Sequence, residues 1–155
     1  MARQSLIPIF QALTARIESL TPTIYPDVGF TSPRGNLGAG DAEDWITEYK
    51  RLTRDFVVYV AEMPSLTPGS SPCHVSQSVN VSVVYRATLA DDIRDIMMAE
   101  DVTTIISGII SRPDLWGGAD SVWPRDGAVS VNEAVDRQGA TQCYIVTMLF
   151  DIVTH

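Results

Sequence analysis

A chain of 155 residues with 45% hydrophobic content can bury one sizeable core, which predicts a single domain over residues 1–155 and argues against a pair of small ones. Eleven basic residues against nineteen acidic ones leave a net charge of −8, which argues against a phosphate-gripping surface as the main function. Two cysteines, Cys73 and Cys143, lack the number and spacing of a metal site or disulfide framework; they read as reduced packing residues in a cytoplasmic setting, with a bridge between them left open.

The chain opens Met1-Ala2-Arg3-Gln4 and continues as an interrupted amphipathic pattern, unlike a signal peptide. Its longest nonpolar runs fall short of the roughly 20 residues that a membrane-spanning helix needs, so a soluble protein made inside a cell is expected. Asn80-Val81-Ser82 has the form of a glycosylation acceptor but lies inside a predicted strand.

The first element is a helix over residues 5–20. Leu6, Phe10, Leu13, Ile17 and Leu20 recur at spacings of three and four, Ile7 and Ile9 broaden the start, and Pro8 is tolerable only in the first turn. Thr21-Pro22 ends it, and residues 23–25 are expected as a short strand. From residue 27 to 44 the periodicity gives way to Pro33, Gly35, Gly38 and Gly40, the composition of a long exposed loop. These glycines have the wrong order for a dinucleotide fingerprint and lack the Gly-Lys-Ser/Thr ending of a phosphate loop. Residues 42–53 predict a short helix with Trp45, Ile46 and Tyr49 on one side.

The β-branched and aromatic run at residues 56–63 predicts a strand, closed by Pro64 and followed by a Pro/Gly/Ser connector to residue 73. The most regular stretch comes next. Over residues 74–88, Val75, Val79, Val81, Val83 and Tyr85 fall on one face, and Ser76, Ser78, Asn80, Ser82 and Arg86 on the other. It passes almost directly into a helix over residues 89–111, with Leu89, Ile93, Ile96, Met97, Ile105, Ile106, Ile109 and Ile110 as its apolar stripe. Thr88, Asp91 and Asp92 form its cap.

Arg112-Pro113 stops the helix. Val122-Trp123 begins a strand that Pro124 interrupts, and residues 129–135 and 142–154 form a final strand pair. In the last strand Tyr144, Val146, Met148, Phe150 and Ile152 share one side. The opposite row, Cys143, Ile145, Thr147, Leu149, Asp151 and Val153, is too apolar for an ordinary solvated face, as fits a central strand or one touching a neighbouring subunit. The order helix, strand, strand, helix, strand, strand predicts an α+β fold. Its sheet is four-stranded and mainly antiparallel, packed by two helices on one face, with long loops.

The inventory for catalysis is thin. His74 and His155 are the only histidines, and His74 next to Cys73 is poorly placed for a reactive pair, because adjacent residues of an extended chain point apart. Asp91, Asp92, Asp95, Glu100 and Asp101 lack histidines at ligand spacing and read as a solvated helix face. Gly69-Ser70-Ser71 lacks the second glycine of a nucleophile elbow. Trp45, Trp116 and Trp123 fit a cleft, a core rim or a subunit interface equally well. No catalytic residue, metal ligand or cofactor site is assigned.

One resemblance covers most of the chain. The opening helix, the Pro/Gly-rich excursion, the strand pair 56–63 and 74–88, and a helix entered through Arg86-Ala87-Thr88-Leu89-Ala90-Asp91-Asp92 come in that order. Residues 113–118, Pro-Asp-Leu-Trp-Gly-Gly, and a closing C-terminal strand follow. This layout resembles the tail terminator proteins of long-tailed bacteriophages and phage-like particles; the long loop at 27–44 and the connector at 64–73 depart from that pattern. The resemblance implies a non-enzymatic virion protein made in the host bacterial cytoplasm. It would form a homo-oligomeric ring, a hexamer, at the head-proximal end of the tail, between the major tail tube protein and the head-tail connector or stopper protein. DNA would pass through the channel without specific binding, and the negative charge would suit such a passage. Gly35, Asn36, Leu37, Gly38, Pro68 and Ser70 are the expected loop contacts, and Ile145, Leu149 and Val153 the expected contact row on the last strand. A neck or head-completion protein of the same particle, and a small α+β enzyme or ligand-binding domain, are the alternatives.

Overall fold

The computed structural model describes residues 6–32, 52–63, 65–66, 75–85, 89–110, 121–135 and 141–154. These residues form helix α1 (Leu6–Glu18), strands β1 (Asp55–Val60), β2 (Ser65–Leu66) and β3 (Val75–Tyr85), helix α2 (Asp91–Ile110), and strands β4 (Ser121–Val135) and β5 (Thr141–Thr154). The sheet order is β1-β3-β5-β4, and the two-residue β2 pairs with β3 on the same side as β1. Every strand pairing is antiparallel. The architecture is therefore the predicted α+β one, with the short β2 as a fifth strand.

Alternation along the strands decides which side is covered. Val79, Val81, Val83 and Tyr85 of β3, Val146, Met148, Phe150 and Ile152 of β5, Phe56 of β1 and Val122 of β4 are buried on one side. The helices lie against that side, with Ile9, Leu13 and Ile17 of α1 and Met97, Met98, Ile105 and Ile109 of α2 in the same cluster. Each large apolar side chain taken fully from water contributes about 1.5–3 kcal/mol, so this one cluster is the main stabilising feature. The last strand is central, between β3 and β4, and its second apolar row lies on the side away from both helices.

Several boundaries differ from the sequence reading. The expected strand at residues 23–25 is a turn: Tyr25 has φ 51°, and the Val28 N–H donates to the Tyr25 carbonyl at 3.0 Å. The first part of the expected exposed loop is packed, since Phe30 is buried and Thr31 forms a bridge to Asp55. The strand expected over 56–63 ends at Val60. Residues 121–135 form one strand that passes Pro124, with the register shifting between Pro124 and Val129. The rest of the loop expected at 27–44, and the short helix expected over 42–53 except its last two residues, lie outside the described residues; Leu52 and Thr53 are not helical.

The stripe of α2 is also rotated from its predicted position. Ile93 and Ile96 are exposed, while Met98, Asp101 and Gly108 join Met97, Ile105 and Ile109 on the buried side. The helix begins at Asp91, where the Asp92 carboxylate accepts the Ile93 N–H at 2.9 Å. Gly108 marks its close approach to the chain after α1: a Cβ there would stand 2.6 Å from both methyl carbons of Leu20. The Arg16 Nε donates to the Gly108 carbonyl at 2.8 Å and fixes the same contact. Replacing Gly108 with Val is expected to force the helices apart and cost about 1–3 kcal/mol, read by urea unfolding; an unchanged midpoint would mean that Leu20 moves aside freely.

Candidate functional site

The strongest polar constellation in the described body is buried. Arg54 is drawn in at the start of β1, Tyr85 ends the buried row of β3, and Asp101 sits one turn from Met97 and Ile105 on the core side of α2. The Arg54 Nε meets Asp101 Oδ2 at 2.6 Å, with both side chains fully removed from solvent, and the Tyr85 hydroxyl donates to the same oxygen at 2.8 Å. The remaining guanidinium nitrogens donate to the Tyr25 carbonyl at 3.0 Å and to the Val28 and Ile24 carbonyls. One ion pair thus ties the 24–28 turn, two strands and a helix together.

Its chemistry is structural. Burial raises the Asp101 carboxyl above its ordinary value, and the Arg54 guanidinium and Tyr85 hydroxyl pull against that rise. Burial, with the neighbouring Asp101 charge, pushes the Tyr85 hydroxyl upward, so it remains a neutral donor. The sequence reading placed Asp101 on a solvated face, and the structure corrects this: it is 0% exposed. Its spacing of four residues from both Met97 and Ile105 was the available signal, outweighed by the acidic run around it.

Other groups considered for chemistry are dispersed. Asp91, Asp92 and Asp95 are exposed on the first turns of α2, where Arg94 pairs with Asp91 at 3.0 Å and stacks over the Tyr144 ring at 4.0 Å. Among the described residues no three His, Cys, Asp or Glu side chains stand together as a metal site. No described helix is long and apolar enough to cross a membrane. Cys143 is buried. Cys73, His74, His155, Ser70, Ser71, Trp45 and Trp116 lie outside the described residues.

The uncovered side of the sheet is the larger feature. Down its centre runs a polar ladder: the Tyr59 hydroxyl lies 3.0 Å from Ser82 Oγ, Ser82 Oγ 2.9 Å from Thr147 Oγ1, and the Ser78 hydroxyl donates to Asp151 Oδ1 at 3.2 Å. Ser78 and Ser82 are buried because they are short side chains on a middle strand, overshadowed by taller neighbours. Apolar groups flank the ladder. Val57 and Tyr59 are exposed on β1, Ile145, Leu149 and Val153 are half-buried on β5, and Trp123 on β4 is 60% exposed beside Asp151. Among the described residues no helix lies over this face.

Of the residues singled out as contacts, Ile145, Leu149 and Val153 therefore share one face. Gly35, Asn36, Leu37, Gly38, Pro68 and Ser70 lie outside the described residues, although Ser65–Leu66 of the same connector is β2. The sequence reading did not single out Val57, Tyr59, Val129 or Val131 as surface groups. Val129 and Val131 are 45% and 53% exposed on the helix side of β4, beside an open groove of about 410 Å³ lined with Met98, Ala99, Val102 and Val146. Among the described residues the fold is a two-layer α+β body with one sheet face and both end strands, β1 and β4, left largely uncovered. No protein-family model matches the chain, and no curated protein matches it.

Removing one partner of the buried pair should be far worse than removing both. Asp101→Asn leaves the Arg54 charge uncompensated and is expected to cost about 3–5 kcal/mol, whereas Arg54→Met with Asp101→Leu should cost less. Urea unfolding of the three proteins checks the order, and equal losses would assign the stability to packing alone.

Proposed function

We propose that the protein is a structural subunit that assembles with copies of itself into a ring, a hexamer, closing the head-proximal end of a bacteriophage tail tube and meeting the head-side connector. In this reading it ends tube polymerisation and is a component of the virion, with no catalytic role. The observation that carries the reading is the bare sheet face, where Val57, Tyr59 and Trp123 are exposed beside the half-buried row Ile145, Leu149 and Val153. Large apolar side chains exposed on an uncovered sheet face are a usual mark of a protein contact. A ring requires contacts between unlike surfaces whose rotation closes, and this body offers several distinct ones.

Two further observations support it. Among the described residues, the titratable groups that burial perturbs, Asp101 and Tyr85, are locked in the core with Arg54 instead of lining a cleft. The arginines whose side chains are described are also engaged within the chain. Arg54 binds Asp101, Arg16 binds the Gly108 carbonyl and Arg94 binds Asp91, while Glu18, Asp27, Asp92 and Glu100 remain exposed. Together with the net charge of −8 over the sequence, this arrangement is of the kind that repels a polyanion, as suits DNA moving through a channel without adhering.

The test is the mass and shape of the purified protein. Native mass near six chains and ring-shaped particles by negative-stain microscopy are expected. A monomer at high concentration that turns over a small molecule would overturn the proposal. Leu149→Asp places a charge on the bare face and is expected to weaken assembly at least tenfold with little change in the thermal midpoint of the monomer. Loss of folding to the same extent would instead make Leu149 a core residue.

A further inference from the structure

We propose that copies of this chain join head to tail through the opposite margins of their sheets, the outer edge of β4 at residues 129–132 in one copy pairing with the outer edge of β1 at residues 58–60 in the next. The inference deepens the ring reading by naming the contact, and rests on that reading only for closure of the chain of copies.

The sheet is open, and its order places β1 and β4 at opposite ends. Among the described residues, the only partner on the outer side of β1 is Thr31, at the beginning of the strand. Its N–H donates to the Arg54 carbonyl at 3.0 Å, and its carbonyl accepts the Phe56 N–H at 2.9 Å. Alternation of the backbone then turns the N–H and C=O groups of Val58 and Val60 outward beyond that contact. On β4, described pairings run only to β5. Such edges template another strand unless lysine, proline or a bulge blocks them. Neither residues 56–60 nor residues 129–132 hold a lysine or proline, and the two register shifts of β4 fall on either side of that stretch, between Pro124 and Val129 and between Ala134 and Val135.

The side chains match across the two margins. Val129 and Val131 face the helix layer from β4, and Val58 and Val60 face it from β1, where Val60 is 46% exposed. Joining the edges sets valine beside valine on the helix side, and Ser130 and Asn132 beside Val57 and Tyr59 on the other.

The same displacement completes the second layer. Helix α1 packs on β1, and the flank of α2 formed by Met98 and Val102 leaves the groove over Val129 and Val131 open. Packed helices lie about 8–10 Å apart, close to two strand spacings of about 4.8 Å. A copy added at the β4 edge therefore brings its α1, with Phe10, Gln11 and Thr14 on the outer flank, over that groove. A foreign strand would satisfy one edge and leave the other bare; a second copy satisfies both by one repeated operation.

Mixed proteins that each carry one introduced cysteine beside the buried Cys143 give a direct test. With Cys73→Ser in both, Val58→Cys and Val131→Cys proteins are mixed at assembling concentration and oxidised. A disulfide-linked dimer is expected in the mixture and not in either protein alone. A dimer from Val131→Cys alone would mean like edges meet, and no dimer in the mixture would remove the contact; either result overturns the inference. Val131→Lys and Val60→Lys should each weaken assembly at least tenfold by light scattering while keeping the circular dichroism of the unaltered chain. Rings that persist in both lysine variants would defeat the edge contact and leave the ring reading in place. Linked open chains without closed rings would do the reverse, and an unaltered chain that stays monomeric defeats both.

Discussion

The fold depends on a charge placed where charge is expensive. Arg54 and Asp101 meet at 2.6 Å in the core, and neither could be buried alone without a penalty of several kcal/mol. The guanidinium spends its other donors on backbone carbonyls of the 24–28 turn, so Tyr25 can hold its positive φ there. That turn leads to Phe30 and Thr31, and Thr31 in turn binds the chain at both sides of Asp55. The pair does for this junction what apolar packing does elsewhere: it specifies one position for β1 relative to α2. Tyr85 supports the same carboxylate from the end of β3, joining the sheet centre to the arrangement.

With that junction set, the two sides of the sheet acquire different roles. Both helices pack on one side and are enough for a single core. The other side is left with a narrow polar ladder on β3 and apolar groups on the strands around it. A ladder of hydroxyl pairs holds strand register without needing a second helix layer. The apolar groups beside it, and the exposed valines at the β4 margin, add little to an isolated subunit. They are the surfaces on which the proposed assembly rests, and they separate the structural role of the buried polar cluster from the contact role of the periphery.

Much of this architecture is legible from periodicity. The period-2 rows of β3 and β5 and the spacing in α1 identify the covered side because burying one row and wetting the other is the cheapest solution for a strand. Ile145, Leu149 and Val153 were likewise identifiable as a second apolar row, and they do share the uncovered face. Asp101 was not, because an acidic residue among Asp91, Asp92, Asp95 and Glu100 looks like one more solvated carboxylate until its partner forty-seven positions earlier is known. Ile93 and Ile96 erred in the other direction: their spacing fits a stripe, yet the helix is turned so that Met98 and Asp101 face inward.

Sequence by itself determined the kinds of element, the antiparallel strand pairs and the side of each strand that seeks the core, since these follow from local propensity and from the alternation of adjacent residues. Only tertiary structure decided that Arg54 and Asp101 are partners, how far α2 is rotated, and that β1 and β4 end the sheet with their margins uncovered by the described elements. Those outcomes depend on contacts between segments far apart in the chain, where no local pattern records which distant group arrives to neutralise a charge or fails to arrive to cover a valine.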